Sequence, residues 1–260
     1  MTYPIIDAHI HLDMYTELQQ HKILNEMNAK GVEALISVSN HYQSALTNIK
    51  LSVMNQGVKT AIGYHPEQAL PSDTEINHLL ELITNQAEDI IAIGEVGLPF
   101  YRRKENQELI LKPYIDLLET FIQMSVKLDK PIILHAIYED AELVLDLLEK
   151  YDVKKAHFHW FKGSYNTIQR LMGNNYMISI TPDCVYEQEI QTIIHHYPLE
   201  LMMVETDGPW PFEHPFNEEM THPKMIHTSI QKIAEIKQLN ETTIYKAMYK
   251  NTKQFYQLDV

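Results

Sequence analysis

The sequence contains almost no cysteine and no long apolar run. Cys184 is the single cysteine among 260 residues, so no disulfide can form within the chain, and a reducing cytoplasm is the expected setting. No thiol-activating motif surrounds Cys184, which favours a buried hydrophobic role over a nucleophilic one. No uncharged apolar run approaches the roughly 20 residues of a membrane span, and no basic segment followed by a long apolar one opens the chain. We therefore expect a cytoplasmic protein with no membrane partner and no obligate protein partner.

Positive charge is also scarce. The 21 Lys and Arg residues are outnumbered by 35 Asp and Glu residues, which gives a net charge of −14 at pH 7. Broad electrostatic binding to nucleic acid or anionic lipid depends on clustered Lys and Arg, so this composition argues against it. A nucleic-acid substrate would need a local basic rim, or metal ions, to offset the negative field.

Eight apolar, β-rich runs alternate with segments of helical periodicity. The predicted strands span residues 4–9, 33–38, 58–63, 90–95, 131–135, 155–159, 176–180 and 201–206. Such alternation predicts a parallel sheet. Eight units in about 250 residues match a TIM-type (β/α)8 barrel, whereas an open doubly wound sheet ordinarily has fewer strands. With 45% hydrophobic residues and no linker or repeat, we expect residues 1–260 to form one α/β barrel domain.

Helices are predicted between and after these strands. Residues 105–128 and 140–151 carry apolar side chains at helical spacing. Three prolines exclude a regular helix over residues 209–216, which we expect to form a loop over the barrel mouth. Two last helices are expected over residues 223–238 and 241–256.

Histidines and carboxylates stand at the downstream ends of successive predicted strands. The candidate metal ligands are His9, His11, Glu95, His135, His159 and Asp207. His9 and His11 lie two residues apart on a strand, so both imidazoles point to one face and can bind one ion. Glu95 can bridge two cations, and Asp207 can bind a metal ion and accept a proton from water. Ordinary polar histidines and a turn carboxylate are the alternatives, but the ordered series indicates a hydrolytic metal centre.

Further polar residues flank these ligands. Glu205 is expected to hydrogen-bond a ligand imidazole and fix its tautomer. Asp7 either orients a ligand or is a simple carboxylate at the start of a strand. His157 shares a face with His159, but the loop after His159 places that residue at the strand tip, so His157 is expected to be a core histidine. His65 has no obvious partner and is expected to contact substrate.

These residues belong to short motifs that span nearly the whole chain. The motifs are Asp7-Ala8-His9-Ile10-His11-Leu12-Asp13, Gly63-Tyr64-His65-Pro66, Ile93-Gly94-Glu95-Val96-Gly97-Leu98, Ile133-Leu134-His135, His159-Trp160-Phe161-Lys162-Gly163-Ser164, Glu205-Thr206-Asp207-Gly208-Pro209 and Asn251-Thr252. In this order they resemble the TatD family of metal-dependent hydrolases, within the amidohydrolase superfamily.

The resemblance implies a TIM-like barrel with one or two divalent ions. It places the first ion between His9, His11, Glu95 and Asp207, and the second between Glu95, His135 and His159. Family members are described as deoxyribonucleases, so the resemblance also implies a phosphodiester substrate. It makes His65 a phosphate contact.

Three positions depart from the family's usual pattern. Pro99 stands where Gly-Leu-Asp has its aspartate, Ile137 where His-Ser-Arg has its arginine, and Trp160 where His-Cys-Phe has its cysteine. All the implied metal ligands are retained. The residues expected near a substrate phosphate are changed, which weakens the inference about substrate more than the inference about metal.

Other residues can compensate for the missing arginine. Arg102, Arg103 and Lys104 follow the Glu95 strand, and an arginine can hold phosphate through two parallel hydrogen bonds. A solvated charge run at the start of a helix is an equally good interpretation of these three residues. Trp160, Phe161, Trp210 and Phe212 could stack on a base at the mouth of the barrel, or could simply pack together.

The predicted function is hydrolysis by a metal-activated water. We expect two cations about 3.5–4 Å apart, with Asp207 as ligand and general base and Glu95 between the ions. Four histidines favour zinc, manganese, iron or nickel, and the resemblance also allows magnesium. A small or single-stranded nucleic acid is the expected substrate. The alternatives are a lactone or amide hydrolase with the same metal site, and a metal-binding scaffold without turnover.

Overall fold

The structure is a computed structural model that describes residues 3–259 and contains a nearly closed barrel of eight parallel strands. In sequence order they are β1 Ile5–Ile10, β2 Val32–Val38, β3 Val58–Ile62, β4 Ala92–Gly97, β5 Ile132–His135, β6 Ala156–Phe158, β7 Met177–Ile180 and β8 Met202–Val204. Each strand pairs in parallel with the next one along the chain. The predicted TIM-type α/β barrel is confirmed, and the observed strand ends lie within two residues of the predicted ones.

Helices alternate with the strands and form the outer layer. Within the described residues they are α1 Glu17–Glu26, α2 Tyr42–Met54, α3 Asp73–Asn85, α4 Phe100–Glu105, α5 Lys112–Leu128, α6 Glu139–Lys150, α7 Tyr165–Gly173, α8 Gln188–His196, α9 Ile226–Lys237 and α10 Glu241–Phe255. The predicted helices over residues 140–151 and 241–256 are α6 and α10, and residues 209–216 contain no helix, as predicted. None of these helices has both the length and the apolar composition needed to cross a membrane.

Polar side chains determine where several helices begin. Ser72, Ser164 and Asn240 precede α3, α7 and α10, and each side chain accepts the backbone N–H of the residue three positions later. This bond satisfies one of the amides that the first turn leaves without a helical partner. The predicted helix over residues 223–238 begins with a short 3-10 turn, Pro223–Met225, and continues as α9.

The prediction of one continuous helix over residues 105–128 is wrong. A short helix, α4, ends at Glu105, and α5 begins only at Lys112. Asn106 has an extended backbone, and its side-chain oxygen accepts the backbone N–H of Glu108, which stabilises a turn. Pro113 lacks a backbone donor and fits only the first turn of a helix, so it fixes the start of α5. Apolar spacing alone did not reveal this break.

Apolar side chains fill the barrel interior and the layer between strands and helices. Ile6, Ile36 and Met203 belong to the interior cluster, and Tyr256, which follows α10, packs against them. A larger cluster that includes Phe121 of α5 lies between the strands and the helices. In barrels of this type the functional residues collect at the carboxyl ends of the strands, beyond the packed interior.

Bonds around the strand ends join β8 to β1. The backbone N–H of Asp207 donates to the His9 carbonyl at 2.9 Å, and that of His11 donates to the Gly208 carbonyl at 2.8 Å. The buried carboxylate of Asp7 accepts bonds from the backbone N–H of Thr206, at 2.9 Å, and from the Thr206 hydroxyl, 199 positions away in the sequence. We call this junction the β8–β1 seam.

Candidate metal centre

The structure brings all six predicted metal ligands together at the carboxyl end of the barrel. They lie at the ends of β1, β4, β5, β6 and β8 and are His9, His11, Glu95, His135, His159 and Asp207. The carboxyl ends of parallel strands in a barrel share one face, so residues far apart in the sequence meet there. The six side chains therefore form a ring at this face of the barrel, which we call the metal ring.

Glu95 lies in the middle of this ring. Its Oε2 is 3.2 Å from Nε2 of both His9 and His11. Its Oε1 is 2.7 Å from Nε2 of His159 and 2.9 Å from Nδ1 of His135. The Glu95 side chain has no exposed surface. Each of its two oxygens therefore faces a different pair of histidines.

Asp207 completes the ring beside β1. Its Oδ1 lies 3.3 Å from Nε2 of His9 and 3.4 Å from Nε2 of His11. The side chain is 12% exposed, although Oδ1 itself is buried. Asp207 and Trp160, which follows His159, have backbone φ angles of +48° and +38°, a region that few residues other than glycine adopt. Such conformations cluster at functional sites, where the surrounding structure holds them in place.

The donor set fits a divalent cation. Nε2 of His9, Oε2 of Glu95 and Oδ1 of Asp207 are buried and have no hydrogen-bond partner among residues 3–259. Buried polar atoms are rarely left unpaired, so a convergent group of them needs a bound species. Candidate ligand atoms of His9, His11 and Glu95 lie within 4.8 Å of one another, and so do those of His9, His159 and Asp207. Imidazole and carboxylate ligands suit zinc and the other divalent transition metals.

The carboxylates and imidazoles of the ring shift each other's ionisation. Burial opposes charge on Glu95, but the neighbouring imidazoles outweigh it and hold the Glu95 pKa well below its usual value. Burial would lower the pKa of His11, but the neighbouring carboxylates of Asp207 and Glu95 outweigh it and raise the pKa to about 10. The pKa of Asp207 is held low, against burial, by the neighbouring imidazoles of His11 and His9. Without a metal ion, the ring at neutral pH therefore contains ionised carboxylates and a protonated His11.

The whole chain is similar to known proteins in sequence and in fold. A family model described as TatD related DNase matches residues 6–257. The chain belongs to the TatD family. An uncharacterized metal-dependent hydrolase of Haemophilus influenzae is 37% identical over 256 residues, which cover 98% of this chain and 100% of that protein. The human deoxyribonuclease TATDN3 is 25% identical and covers 97% of this chain and 94% of its own length. The crystal structure of the TatD homologue YJJV from Escherichia coli has a TM-score of 0.87, with 21% identity and 98% coverage of both chains.

Family membership makes this TatD protein a metal-dependent hydrolase. Other buried residues support the proposed ligands, and Glu205 is one of them. Glu205 lies next to His159, with its Oε1 3.6 Å from the His159 Nδ1. The same oxygen accepts the backbone N–H of Trp160 at 2.8 Å, and the other accepts the Ser179 hydroxyl. Glu205 is therefore held by fixed donors in a position from which it can orient the His159 ring.

His157 extends this support into the barrel interior. It has no exposed surface, and burial lowers its pKa well below the usual value, so the His157 imidazole is neutral. Its Nδ1 is 2.6 Å from the Tyr256 hydroxyl, and its Nε2 is 2.6 Å from the Ser179 hydroxyl. His157 is thus a core histidine, as predicted. A buried hydrogen-bonded chain runs from Tyr256 through His157 and Ser179 to Glu205.

Asp7 has a structural role at the β8–β1 seam. Among the described residues, its hydrogen bonds go to Thr206 and to the backbone N–H of His9, at 3.3 Å for the latter, rather than to an imidazole. Asp7 therefore holds the backbone of a proposed ligand, His9, rather than its imidazole, and an orienting role for Asp7 stays a prediction. Burial raises the Asp7 pKa to about 7.

The two predicted arginines point in different directions. Arg102 lines the cavity beside the metal ring, and its Nη1 donates to the Tyr114 hydroxyl at 3.0 Å. Arg103 instead forms an ion pair with the buried carboxylate of Asp140. Both lie on α4, where successive side chains point about 100° apart, so neighbouring arginines cannot share a face. The structure therefore places Arg103 in an ion pair with α6 rather than in the predicted substrate contact.

A cavity of about 500 Å³ opens beside the metal ring. Its wall includes Trp160, whose indole N–H donates to Asp183 at 2.6 Å and whose ring centre lies 5.9 Å from that of Trp210. Ile137, where the family pattern has arginine, is buried and forms an apolar part of the wall. Lys162 adds a positive charge that the prediction missed, although it stands in the quoted motif after His159.

His65 lies between the ring and the cavity. Its Nε2 is 3.4 Å from Glu95 Oε1, and its Nδ1 accepts the backbone N–H of Glu67 at 3.1 Å. Burial lowers the His65 pKa to about 4, so the His65 imidazole is neutral at pH 7. A neutral ring whose Nδ1 accepts a bond carries its proton on Nε2. His65 is therefore a hydrogen-bond donor toward the site.

Glu67 is a site residue that the sequence prediction missed. Its Oε1 lies 3.3 Å from Nε2 of His135, and its side chain is 13% exposed. The pattern of polar residues at strand ends does not include Glu67, because Glu67 lies five residues after the end of β3. Its position two residues after His65 was the one available signal.

Proposed function

We propose that this chain cleaves phosphodiester bonds in DNA as a metal-dependent nuclease. The observation that carries the proposal is the position of Glu95, whose two oxygens face separate histidine pairs, as a carboxylate between two cations requires. Two divalent ions, when bound, would polarise a phosphoryl oxygen and lower the pKa of the attacking water. Zinc, manganese, iron, nickel and magnesium are the candidates. Similarity to a human deoxyribonuclease supports DNA as the substrate.

The proposed ligands divide around Glu95. His9, His11 and Asp207 would hold one ion with Glu95, and His135 and His159 would hold the other. Asp207 also accepts the proton of the attacking water, because its depressed pKa keeps it ionised at neutral pH and its side chain is partly exposed. Glu205 keeps the His159 ring in its metal-binding orientation.

The cavity residues hold the substrate. His65 donates its Nε2 proton to a phosphate oxygen. Arg102, whose guanidinium is fixed by Tyr114, forms an ion pair with the same or the next phosphate. Trp160 stacks on an unpaired base. A single strand suits this wall better than a duplex, since a base must be unstacked to reach an aromatic ring.

Replacing Asp207 with asparagine tests the proposal. We expect hydrolysis of a single-stranded DNA oligonucleotide, measured with added manganese, magnesium or zinc, to fall by at least about 100-fold because the proton acceptor is lost. Asp73→Asn, an exposed position at the start of α3, is the matched control for the change in charge and should retain activity. Full activity in Asp207→Asn would contradict the role of this residue, and a wild-type protein that hydrolyses only lactones or amides would contradict the nuclease proposal.

A carbon-centred substrate is the second candidate. The observation that favours it is Ile137, which puts an apolar wall where the family pattern has an arginine for phosphate. The same metal ring can polarise a lactone or amide carbonyl. A panel of lactones and amides tested beside a chromogenic phosphodiester, with the same metal ions, separates the two functions.

A further inference from the structure

Glu67 contacts both a proposed metal ligand and the helix that carries part of the cavity wall. Its Oε1 accepts the backbone N–H of Tyr101 at 2.8 Å, and its Oε2 accepts that of Arg102 at 2.9 Å. Both amides lie in the first turn of α4, where they have no helical partner. The same Oε1 lies 3.3 Å from Nε2 of His135. One carboxylate therefore connects His135 with the backbone of α4.

The neighbours of His135 indicate which of its two ring nitrogens faces the proposed ion. Nδ1 lies 2.9 Å from Glu95 Oε1 and 3.2 Å from Nε2 of His159, so this nitrogen faces the proposed ion. Nε2 faces Glu67 on the other side of the ring. A ligand imidazole needs a free electron pair on the nitrogen that faces the metal, and its proton then resides on the other nitrogen. An ionised Glu67 accepts that proton's hydrogen bond and so favours the tautomer that can bind metal at Nδ1.

We propose that Glu67 is a positioning residue for metal binding that acts through His135. It fixes the tautomer and the ring orientation of His135, and it ties this ligand to the helix that carries Arg102. The proposal rests on the metal site proposed above but not on the choice of substrate. Histidine ligands commonly donate their second N–H to a carboxylate, and loss of such a partner reduces metal affinity by about 10–100-fold.

The isosteric change Glu67→Gln removes the charge but keeps the shape of the side chain. We expect it to raise the dissociation constant for zinc or manganese by about 10–100-fold, measured by competition with a chromogenic chelator. Glu105→Gln is the matched control, because Glu105 borders the same cavity but has no side-chain bond to a proposed ligand among residues 3–259. The control should keep the wild-type dissociation constant. Equal effects of the two changes would overturn the proposal, since they would reflect net charge alone.

A double-mutant cycle distinguishes action through His135 from a general effect on the fold. In a His135→Ala background, Glu67→Gln should cause no further loss of metal affinity, because its target is already absent. Full additivity of the two losses would overturn the proposal. If Glu67→Gln fails to fold, ¹⁵N NMR of histidine in the zinc-loaded wild-type protein decides. A proton on His135 Nε2 supports the proposal, and zinc bound at Nε2 refutes it.

The same measurements separate this proposal from the nuclease proposal. A wild-type protein that binds neither zinc nor manganese would overturn the metal site, and the role of Glu67 with it. A protein that binds metal but does not hydrolyse DNA would overturn only the nuclease proposal. The comparison of Glu67→Gln with its control would then stand unchanged, because its readout is metal affinity.

Discussion

Replacing Gly97 with alanine is expected to disturb the metal ring through the backbone. Gly97 ends β4 and pairs with His135 of β5. A Cβ atom at this position would overlap the His135 carbonyl oxygen, and it would lie 2.7 Å from the His135 carbonyl carbon and 3.0 Å from the His135 Cβ. The obstructing atoms are mostly backbone, so no flexible side chain can move aside. The end of β5, with His135 on it, must move instead.

The structure sets the size of this displacement. Ordinary van der Waals contact begins at 3.4 Å, so the His135 carbonyl carbon at 2.7 Å must retreat by at least about 0.7 Å, and the closer carbonyl oxygen by more. Overpacking of this kind costs about 1–3 kcal/mol of unfolding free energy. Misplacing a catalytic group by about 1 Å can reduce turnover about 100-fold. We therefore expect Gly97→Ala to lower the unfolding free energy by about 1–3 kcal/mol and to weaken both metal binding and hydrolysis.

Urea denaturation of the metal-free protein and chelator competition measure the two effects separately. Gly173→Ala is the matched control, because among residues 3–259 no atom outside its chain neighbours and its own helix backbone lies within 4 Å of the added methyl group, and Gly173 is the last residue of α7. Alanine is the better helix former, so the control should gain up to about 1 kcal/mol of unfolding free energy and keep its metal affinity. Wild-type stability and metal affinity in Gly97→Ala would refute the steric reasoning.

Further predictions concern the dependence on pH and the two arginines of α4. Metal affinity should rise with pH, by up to about tenfold per unit for each proton released, because His11, with its pKa raised to about 10, must lose its proton before it binds an ion. In the metal-free protein the same raised pKa stabilises the fold fully below pH 6.5, and this stabilisation is lost as the pH rises toward 10. Calorimetry in buffers of different ionisation enthalpy checks the proton release, and a pH-independent affinity would contradict it. Arg103→Ala should lower the unfolding free energy by about 1–3 kcal/mol, since it leaves the buried Asp140 unpaired. Arg102→Ala should mainly raise KM for DNA, and the opposite pattern in the two variants would show that their roles are exchanged.

The barrel and the proposed metal ligands could be predicted because their signals are local. Each strand is an apolar run, and a polar residue lies at its end or within three residues after it, as His135 and Asp207 do. Parallel topology then brings these ends together whatever their separation in sequence. His65 could be included on the same grounds, because it lies three residues after the end of β3.

The residues that the sequence did not reveal depend on longer-range geometry. Glu67 lies in a loop, and its importance comes from contacts with His135 and α4 that no local pattern encodes. Arg103 was assigned to substrate because its partner, Asp140, is 37 positions away. The sequence left the role of Asp7 open because its main partner, Thr206, is 199 positions away.

The β8–β1 seam also has a consequence for folding. His9 and His11 lie on one side of the seam and Asp207 on the other, so an ion held by all three would cross-link two segments nearly 200 residues apart, as Asp7 and Thr206 already are. Cross-links that close such long loops restrict the unfolded chain most. During synthesis, a nascent chain that stops before β8 lacks Asp207 and leaves the edge of β1 open. The proposed metal centre is therefore complete only in a chain in which the segment after β8 has joined β1.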